Sequence, residues 1–173
     1  FVATTNAALY CGAKVEFVDI DSDTYNICVE DLSRKLSEAK LKGNLPKLVV
    51  PVHLAGQSSD MEKIYALSKK YNFKIVEDAS HSIGGKYLNK TIGNGQYSDV
   101  TVFSFHPVKI ITTCEGGVAV TNCSTLAKKM ASLRSHGITR NSGDMKNNPD
   151  GGWYYEQQDL GFNYRLSDVH AAL

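Results

Sequence analysis

The sequence predicts an α/β fold built on a mostly parallel sheet with one antiparallel strand. Its middle alternates short apolar runs rich in β-branched residues with segments of helical periodicity, a pattern typical of a parallel sheet covered by helices. The connection between the runs at 100–104 and 118–121 carries no helical pattern. Because a parallel crossover usually needs a helix, the strand at 118–121 is expected to run antiparallel to its neighbours.

Composition limits the class of protein. The chain has 173 residues, of which 42% are hydrophobic and 21% charged, as in ordinary globular domains. The formal net charge of +1 favours neither nucleic acid nor a membrane surface as a partner. No apolar run is long enough for a membrane span, and the four cysteines lack zinc-site spacing. We therefore expect a cytoplasmic protein with reduced thiols, no metal and no membrane or nucleic-acid partner.

The first part of the chain predicts alternating strands and helices. The run at 15–20 predicts a strand. Residues 30–42 predict a helix, because their apolar residues recur at helical spacing and Gly43 can end it. The apolar run within 47–54 predicts a buried strand.

The next segment predicts a capped helix followed by two strands. Ser59 and Glu62 have the S-x-x-E spacing of a capping box, which predicts a helix that ends near Asn72. The run at 73–78 then predicts a strand, and the run at 100–104 another.

The last third predicts a helix and a long polar loop. Ser124 is expected to open a helix that reaches about His136, with Gly137 just beyond its end. Residues 137–161 are rich in Gly, Asn and Asp and predict a loop, which at this length is usually functional or disordered. Ser167 is expected to cap a final short helix.

An acid and an amine follow two of the predicted strands. Asp78 ends the strand at 73–78, and Lys109 lies just beyond the strand at 100–104. Open α/β sheets bind ligands beyond the carboxyl ends of their strands, so both side chains are expected to face one crevice. Burial of such a lysine would favour the neutral amine that attacks aldehydes. A salt bridge or a solvated rim is the alternative for this pair.

Three motifs follow one another in the chain: V-E-D-A-S-H-S-I-G at 76–84, F-S-F-H-P-V-K at 103–109 and E-G-G at 115–117. Shorter motifs accompany them at 1–4 (F-V-A-T), 51–56 (P-V-H-L-A-G) and 161–166 (G-F-N-Y-R-L). Their order and spacing resemble the DegT/DnrJ/StrS family of pyridoxal-phosphate sugar aminotransferases. The resemblance implies the large-domain sheet of fold-type I, the aspartate aminotransferase-like fold.

The resemblance implies roles around pyridoxal 5′-phosphate. Lys109 corresponds to the catalytic lysine that holds the cofactor and moves a proton, and Asp78 to the carboxylate facing the pyridine nitrogen. His81 corresponds to a Gln or His beside the phenolic oxygen of the ring. Ser104 corresponds to a hydroxyl donor to the phosphate. A core position for His81 and a turn position for Ser104 remain as alternatives.

Two further residues are implied at the edges of the site. Asn163 corresponds to an amide that reaches the cofactor phosphate of a partner subunit, so the resemblance implies a homodimer with shared active sites. A helix cap is the alternative for Asn163. Phe1 corresponds to an aromatic residue stacked on the cofactor ring.

The resemblance also narrows the substrate. Lys109 separates the chain from dehydratase relatives, which carry His at that position. The motifs at 80–84, 105–109 and 153–161 are most similar to family members that aminate C4 of a UDP-linked 4-keto-6-deoxy-N-acetylhexosamine with glutamate as donor. The alternatives are another nucleotide ketosugar, or an inactive fragment or binding module with the same sheet.

The ends of the sequence predict a fragment of a longer protein. No Met opens the chain, and the capped helix at Ser167 stops soon after it starts. By resemblance, 1–173 is expected to be the central part of the cofactor-binding large domain. The N-terminal segment that cradles the cofactor phosphate and the C-terminal small domain are expected to be absent from it.

Overall fold

The structure is a computed structural model that describes residues 1–173, which divide into two units, Phe1–Asn122 and Cys123–Leu173. In chain order, the elements of the first unit are α1 (Val2–Tyr10), α2 (Val29–Lys42), β1 (Leu48–Val49), α3 (Met61–Tyr71), β2 (Lys74–Asp78), β3 (Lys86–Tyr87), β4 (Lys90–Thr91), β5 (Val100–Ser104) and β6 (Gly117–Val120). Those of the second unit are α4 (Ser124–Arg134), β7 (Ile138–Thr139), β8 (Glu156–Gln157) and α5 (Asp168–Ala171).

The first unit is organised around a four-stranded sheet in the order β1-β2-β5-β6. The pairings of β1 with β2 and of β2 with β5 are parallel, whereas β5 and β6 are antiparallel. This arrangement confirms the predicted sheet, including the antiparallel strand that follows the helix-free connection. The register places Asp78 beside Val102 and Ser104 beside Gly117. The carboxyl ends of β2 and β5 are therefore neighbours.

Helices α2 and α3 pack together over the sheet. Leu32 and Leu36 of α2 and Ile64 of α3 are buried in one apolar cluster with Ile75 of β2. Burial of each such side chain contributes about 1.5–3 kcal/mol to folding. As predicted, α2 ends at Gly43, whose φ of 68° is in the left-handed region.

The start of α3 differs from the predicted capping box. The N-cap is Asp60, whose carboxylate accepts a hydrogen bond from the Lys63 amide at 3.4 Å. The Ser59 hydroxyl instead donates to the Val52 carbonyl at 3.1 Å. The Ser59 hydroxyl thus bonds to Val52 outside the helix and does not cap α3, although the local pattern predicted a cap.

Two predicted strands are absent or shortened. Residues 15–20 form no ladder, and only Ile20 pairs, in an isolated bridge with Ile27, because no strand of the sheet lies beside this run. The predicted strand at 47–54 is reduced to β1 and a parallel bridge between Val52 and Asp78. Pro51 lies between them and has no amide hydrogen to donate to a ladder.

The second unit contains more structure than the predicted loop. Helix α4 ends before His136, and β7 and β8 then form an antiparallel pair within the span predicted as a loop. The carboxylate of Glu156, in β8, accepts the amide hydrogens of Lys146 and Asn147 from the segment between the two strands, and these bonds lower the pKa of Glu156 to about 2. The predicted cap is confirmed, since the Ser167 hydroxyl accepts the His170 amide at 3.2 Å.

No helix of the structure combines the length and the apolar character needed to cross a bilayer.

Candidate active site

The Asp78 carboxylate, at the carboxyl end of β2, is held through both of its oxygens. Thr4 of α1 donates its hydroxyl to Oδ2 at 2.6 Å. Ser80 donates its hydroxyl to Oδ1 at 2.6 Å and its amide to the same oxygen at 3.2 Å. Burial raises the pKa of Asp78, but the hydrogen bonds from Ser80 and Thr4 outweigh burial and lower the pKa below its ordinary value. The carboxylate is therefore charged at neutral pH.

Lys109 lies in the turn that follows β5. Its amide donates to the His106 carbonyl at 2.9 Å, and its side chain is half-buried between the exposed apolar residues Val108 and Ile110. The ε-amine makes no ion pair and no hydrogen bond within the chain. A salt bridge with Asp78, the alternative weighed for this pair, is thus not formed. The amine is available to a ligand.

Ser104, the last residue of β5, lies near the same edge. Since Val102 is the residue beside Asp78, Ser104 extends past the end of β2. Its half-buried hydroxyl accepts the His106 amide hydrogen at 3.4 Å and keeps its own hydrogen to donate. This position suits a donor to an anionic ligand at the carboxyl edge of the sheet.

His81 is half-buried, so it is not the core histidine of the alternative interpretation. Its Nδ1 accepts the Ala55 amide hydrogen at 3.3 Å, which places the proton of the neutral ring on Nε2. Ala55 and Gly56 both have positive φ angles, of 52° and 89°. A Cβ on Gly56 would approach the His81 carbonyl oxygen at 3.1 Å. This close turn holds His81 as a donor through Nε2.

The contacts of Phe1 and Asn163 within the chain do not test their predicted roles. Phe1 precedes α1 and is fully exposed. Asn163 lies in the second unit, where it is exposed and forms an antiparallel bridge with Ser135. The stacking role of Phe1 and the phosphate role of Asn163 stay predictions.

A buried polar network lies on the opposite face of β2. Glu77 accepts hydrogen bonds from His53 Nε2 at 2.8 Å, from Thr101 Oγ1 at 2.9 Å and from the Ser98 hydroxyl. His53 is completely buried, and its Nδ1 accepts the Ser59 amide at 3.1 Å. Burial raises the pKa of Glu77, but the hydrogen bonds from His53 and Ser98 outweigh burial and lower it. Because successive side chains of β2 point to opposite faces, Glu77 belongs to a buried structural network and Asp78 does not.

Sequence reasoning did not identify the hydrogen-bond partners of Asp78. Thr4 and Ser80 lie inside the motifs at 1–4 and 76–84, but no role followed from the sequence. Ser80 carried a usable signal, because Asp-x-Ser is the spacing of a local side-chain turn. Thr4 carried none, since it meets Asp78 across 74 residues of sequence.

A cavity of about 280 Å³ lies elsewhere, at the amino ends of β2 and β5. It is lined in part by Phe73, Lys74 and Asp99 and contains none of the predicted site residues. The predicted site residues at the carboxyl edge therefore lie outside this cavity.

The donor set at the carboxyl edge fits pyridoxal 5′-phosphate. A charged carboxylate suits a protonated ring nitrogen, an unpaired primary amine suits an aldehyde, and a hydroxyl with a free hydrogen suits a phosphate. Asp78, Lys109 and Ser104 supply these three groups. No group of His, Cys, Asp and Glu residues is arranged to hold a metal ion.

The sheet and this set of residues define the chain as part of an aspartate aminotransferase-like protein. The DegT/DnrJ/EryC1/StrS aminotransferase family matches the sequence over residues 1–173, and the chain belongs to that family. Among curated relatives, it is 44% identical to a UDP-4-amino-4,6-dideoxy-N-acetyl-β-L-altrosamine transaminase of Campylobacter jejuni. That alignment covers 100% of the chain and 42% of the relative.

Two solved structures are similar to the fold. Helicobacter pylori PseC, an aminotransferase involved in the biosynthesis of pseudoaminic acid, superposes with a TM-score of 0.85 at 35% identity. NtdA of Bacillus subtilis, solved with the bound cofactor PMP, superposes with a TM-score of 0.78 at 31% identity. The chain is covered to 99% in both cases, and spans 42% of PseC and 35% of NtdA. These shares agree with the expectation of a piece of a longer fold.

Proposed function

We propose that the chain is the central part of the cofactor-binding large domain of a pyridoxal-phosphate-dependent nucleotide-sugar aminotransferase. The observation that carries the proposal is the charged Asp78 carboxylate at the end of β2, with the unpaired Lys109 amine in the turn after the adjacent strand. The PMP bound in NtdA, a relative of the same fold, supports the cofactor.

The cofactor, when bound, would supply an electron sink for the electron pair left behind when a proton is removed from the carbon that carries the amino group. Lys109 would hold the aldehyde of the cofactor and, once the amine of the substrate has displaced Nζ, would accept and return that proton at Nζ. Asp78 would hold the proton on the ring nitrogen, a role that needs the charged carboxylate that Thr4 and Ser80 stabilise. His81 would donate from Nε2 to the phenolic oxygen, and Ser104 would donate its hydroxyl to the phosphate.

The proposed reaction moves an amino group from glutamate to C4 of a UDP-linked 4-keto-6-deoxy-N-acetylhexosamine, a step of pseudaminic acid biosynthesis. The names of the Campylobacter jejuni and Helicobacter pylori relatives support this substrate. Assays that compare UDP-linked with dTDP-linked 4-ketosugars test it. Turnover of the dTDP-sugar alone would favour the alternative of another nucleotide ketosugar.

The decisive experiment identifies the cofactor-binding residue in the full-length protein. Borohydride reduction followed by peptide mass analysis should find the cofactor on Lys109. Lys109→Ala should abolish both this adduct and transamination while the fold survives, because Lys109 lies in a turn outside the core. Lys14→Ala is the matched control, since Lys14 is exposed and its side chain makes no hydrogen bond or ion pair. Turnover retained by Lys109→Ala would contradict the proposal.

We also propose a cytoplasmic homodimer with shared active sites. Four large aromatic residues of the second unit are exposed, as at many protein interfaces: Trp153, Tyr155, Phe162 and Tyr164. The four free cysteines suit a reducing compartment. If Asn163 completes the partner's site, mixing Lys109→Ala with Asn163→Ala protein should restore part of the activity, because one site of the hybrid then carries neither change. Hybrids without recovered activity would refute the shared site.

A further inference from the structure

We propose that Thr4 is a positioning residue for the reaction, which orients the Asp78 carboxylate toward the cofactor ring by fixing Oδ2, while Ser80 fixes Oδ1. This inference rests on the proposed function, because the ring nitrogen is the group that Asp78 would face. Thr4 itself contacts the carboxylate and acts through it.

The geometry of the carboxylate supports the assignment. Each oxygen of Asp78 has its own hydroxyl donor at 2.6 Å, so rotation of the carboxylate about its Cβ–Cγ bond would break both bonds. Distances this short are typical of hydroxyl donors to a charged carboxylate. Each oxygen retains acceptor capacity, so the carboxylate can meet a further donor without losing Thr4 or Ser80.

The position of Thr4 in α1 argues against a merely structural bond. Thr4 lies in the first turn of α1, where the only carbonyl of a preceding turn within reach of its hydroxyl is that of Phe1, and solvent is the other usual partner. The Thr4 hydroxyl instead meets Asp78, in the one side-chain hydrogen bond between α1 and the rest of the chain. Within this chain α1 has no buried residue, so the Thr4–Asp78 hydrogen bond is not a by-product of core packing among these residues.

The test compares hydroxyl-removing variants in the full-length protein, with pyridoxamine 5′-phosphate as the probe. This probe binds without a covalent bond to lysine, so its dissociation constant reports on Asp78 rather than on Lys109. Thr4→Val removes the hydroxyl at constant shape and should weaken binding about tenfold, the effect of one lost hydrogen bond to a charged group. Thr4→Ser keeps the hydroxyl and should bind like the natural protein. Thr5→Val is the matched control, because the Thr5 hydroxyl makes no hydrogen bond.

A double-mutant cycle separates positioning from general destabilisation. In an Asp78→Asn background, Thr4→Val should weaken binding of the probe no further, because the charged group that it orients is gone. The same tenfold loss in both backgrounds would overturn the inference, as would a Thr4→Val protein that binds like the natural one.

An NMR titration of the Asp78 carboxyl, in the protein without cofactor, distinguishes failure of this inference from failure of the proposed function. Loss of the Thr4 hydrogen bond should move the midpoint of this titration to higher pH, whether or not the protein binds the probe. If the natural protein binds no pyridoxamine 5′-phosphate, the proposed function fails, and the titration alone decides the role of Thr4. An unchanged midpoint in Thr4→Val would overturn the inference.

Discussion

Glu77→Gln should destabilise the fold even though it preserves the shape of the side chain. The carboxylate accepts three hydrogen bonds, from His53, Ser98 and Thr101. A glutamine amide has one oxygen and one NH₂ group at the same two positions. Either the NH₂ faces the Nε2 hydrogen of His53, or it faces the two hydroxyls. The His53 proton cannot move to Nδ1 without losing the Ser59 amide bond.

The expected loss follows from the burial of these partners. His53 is completely buried and Thr101 is 1% exposed, so water cannot replace the lost acceptor for either donor. An unsatisfied buried donor costs about 1–3 kcal/mol, and a broken buried charge interaction costs more. We therefore expect the free energy of unfolding to fall by about 2–4 kcal/mol.

Equilibrium denaturation in urea, followed by circular dichroism, measures this loss. The lowered pKa of Glu77 in the folded state means that the unfolded state binds more protons in acid. The stabilisation by Glu77 is therefore complete above the ordinary carboxyl range and is lost as the pH falls through the folded pKa. Glu77→Gln should flatten this acid dependence. Glu16→Gln, at an exposed position whose side chain makes no hydrogen bond or ion pair, should change stability by less than about 0.5 kcal/mol. Equal midpoints for Glu77→Gln and the natural protein would refute the reasoning.

Two more changes test the site and the sheet. Asp78→Asn should abolish transamination, because the amide cannot hold the ring proton, whereas Asp99→Asn at the amino end of β5 should keep a normal kcat. Gly93→Ala should lower stability by about 1–3 kcal/mol, because its φ is 89° and a Cβ would lie 2.8 Å from the Phe103 ring. Gly152→Ala, where a Cβ meets nothing within 4 Å, should leave thermal unfolding unchanged.

The elements that the sequence predicted best are those whose own residues determine them. Helix α2 carries both its apolar face and the glycine that ends it, and β2 and β5 are apolar runs bounded by polar residues. The antiparallel direction of β6 followed from the length and pattern of a connection alone. The placement of Asp78 at a strand end followed from the apolar run that precedes it.

The errors share a physical cause, which is that a tertiary partner decided the outcome. Residues 15–20 have the pattern of a strand, but a strand needs a neighbour to pair with, and the sheet offers none there. Ser59 has the spacing of a cap, but its hydroxyl bonds to Val52. The contact of Thr4 with Asp78 spans 74 residues and leaves no periodic trace in the sequence.

The two adjacent acids of β2 have different roles because strand geometry directs them to opposite faces of the sheet. Side chains alternate between the faces of a strand, so Glu77 and Asp78 meet different surroundings although they are joined by one peptide bond. Glu77 is 5% exposed and bonded to His53, Ser98 and Thr101, which fixes the position of the strand. Asp78 is half-buried, and its oxygens retain acceptor capacity beyond Thr4 and Ser80. Substitution of Glu77 should therefore lower the stability of the fold, whereas substitution of Asp78 should weaken ligand binding, and the two effects should be independent.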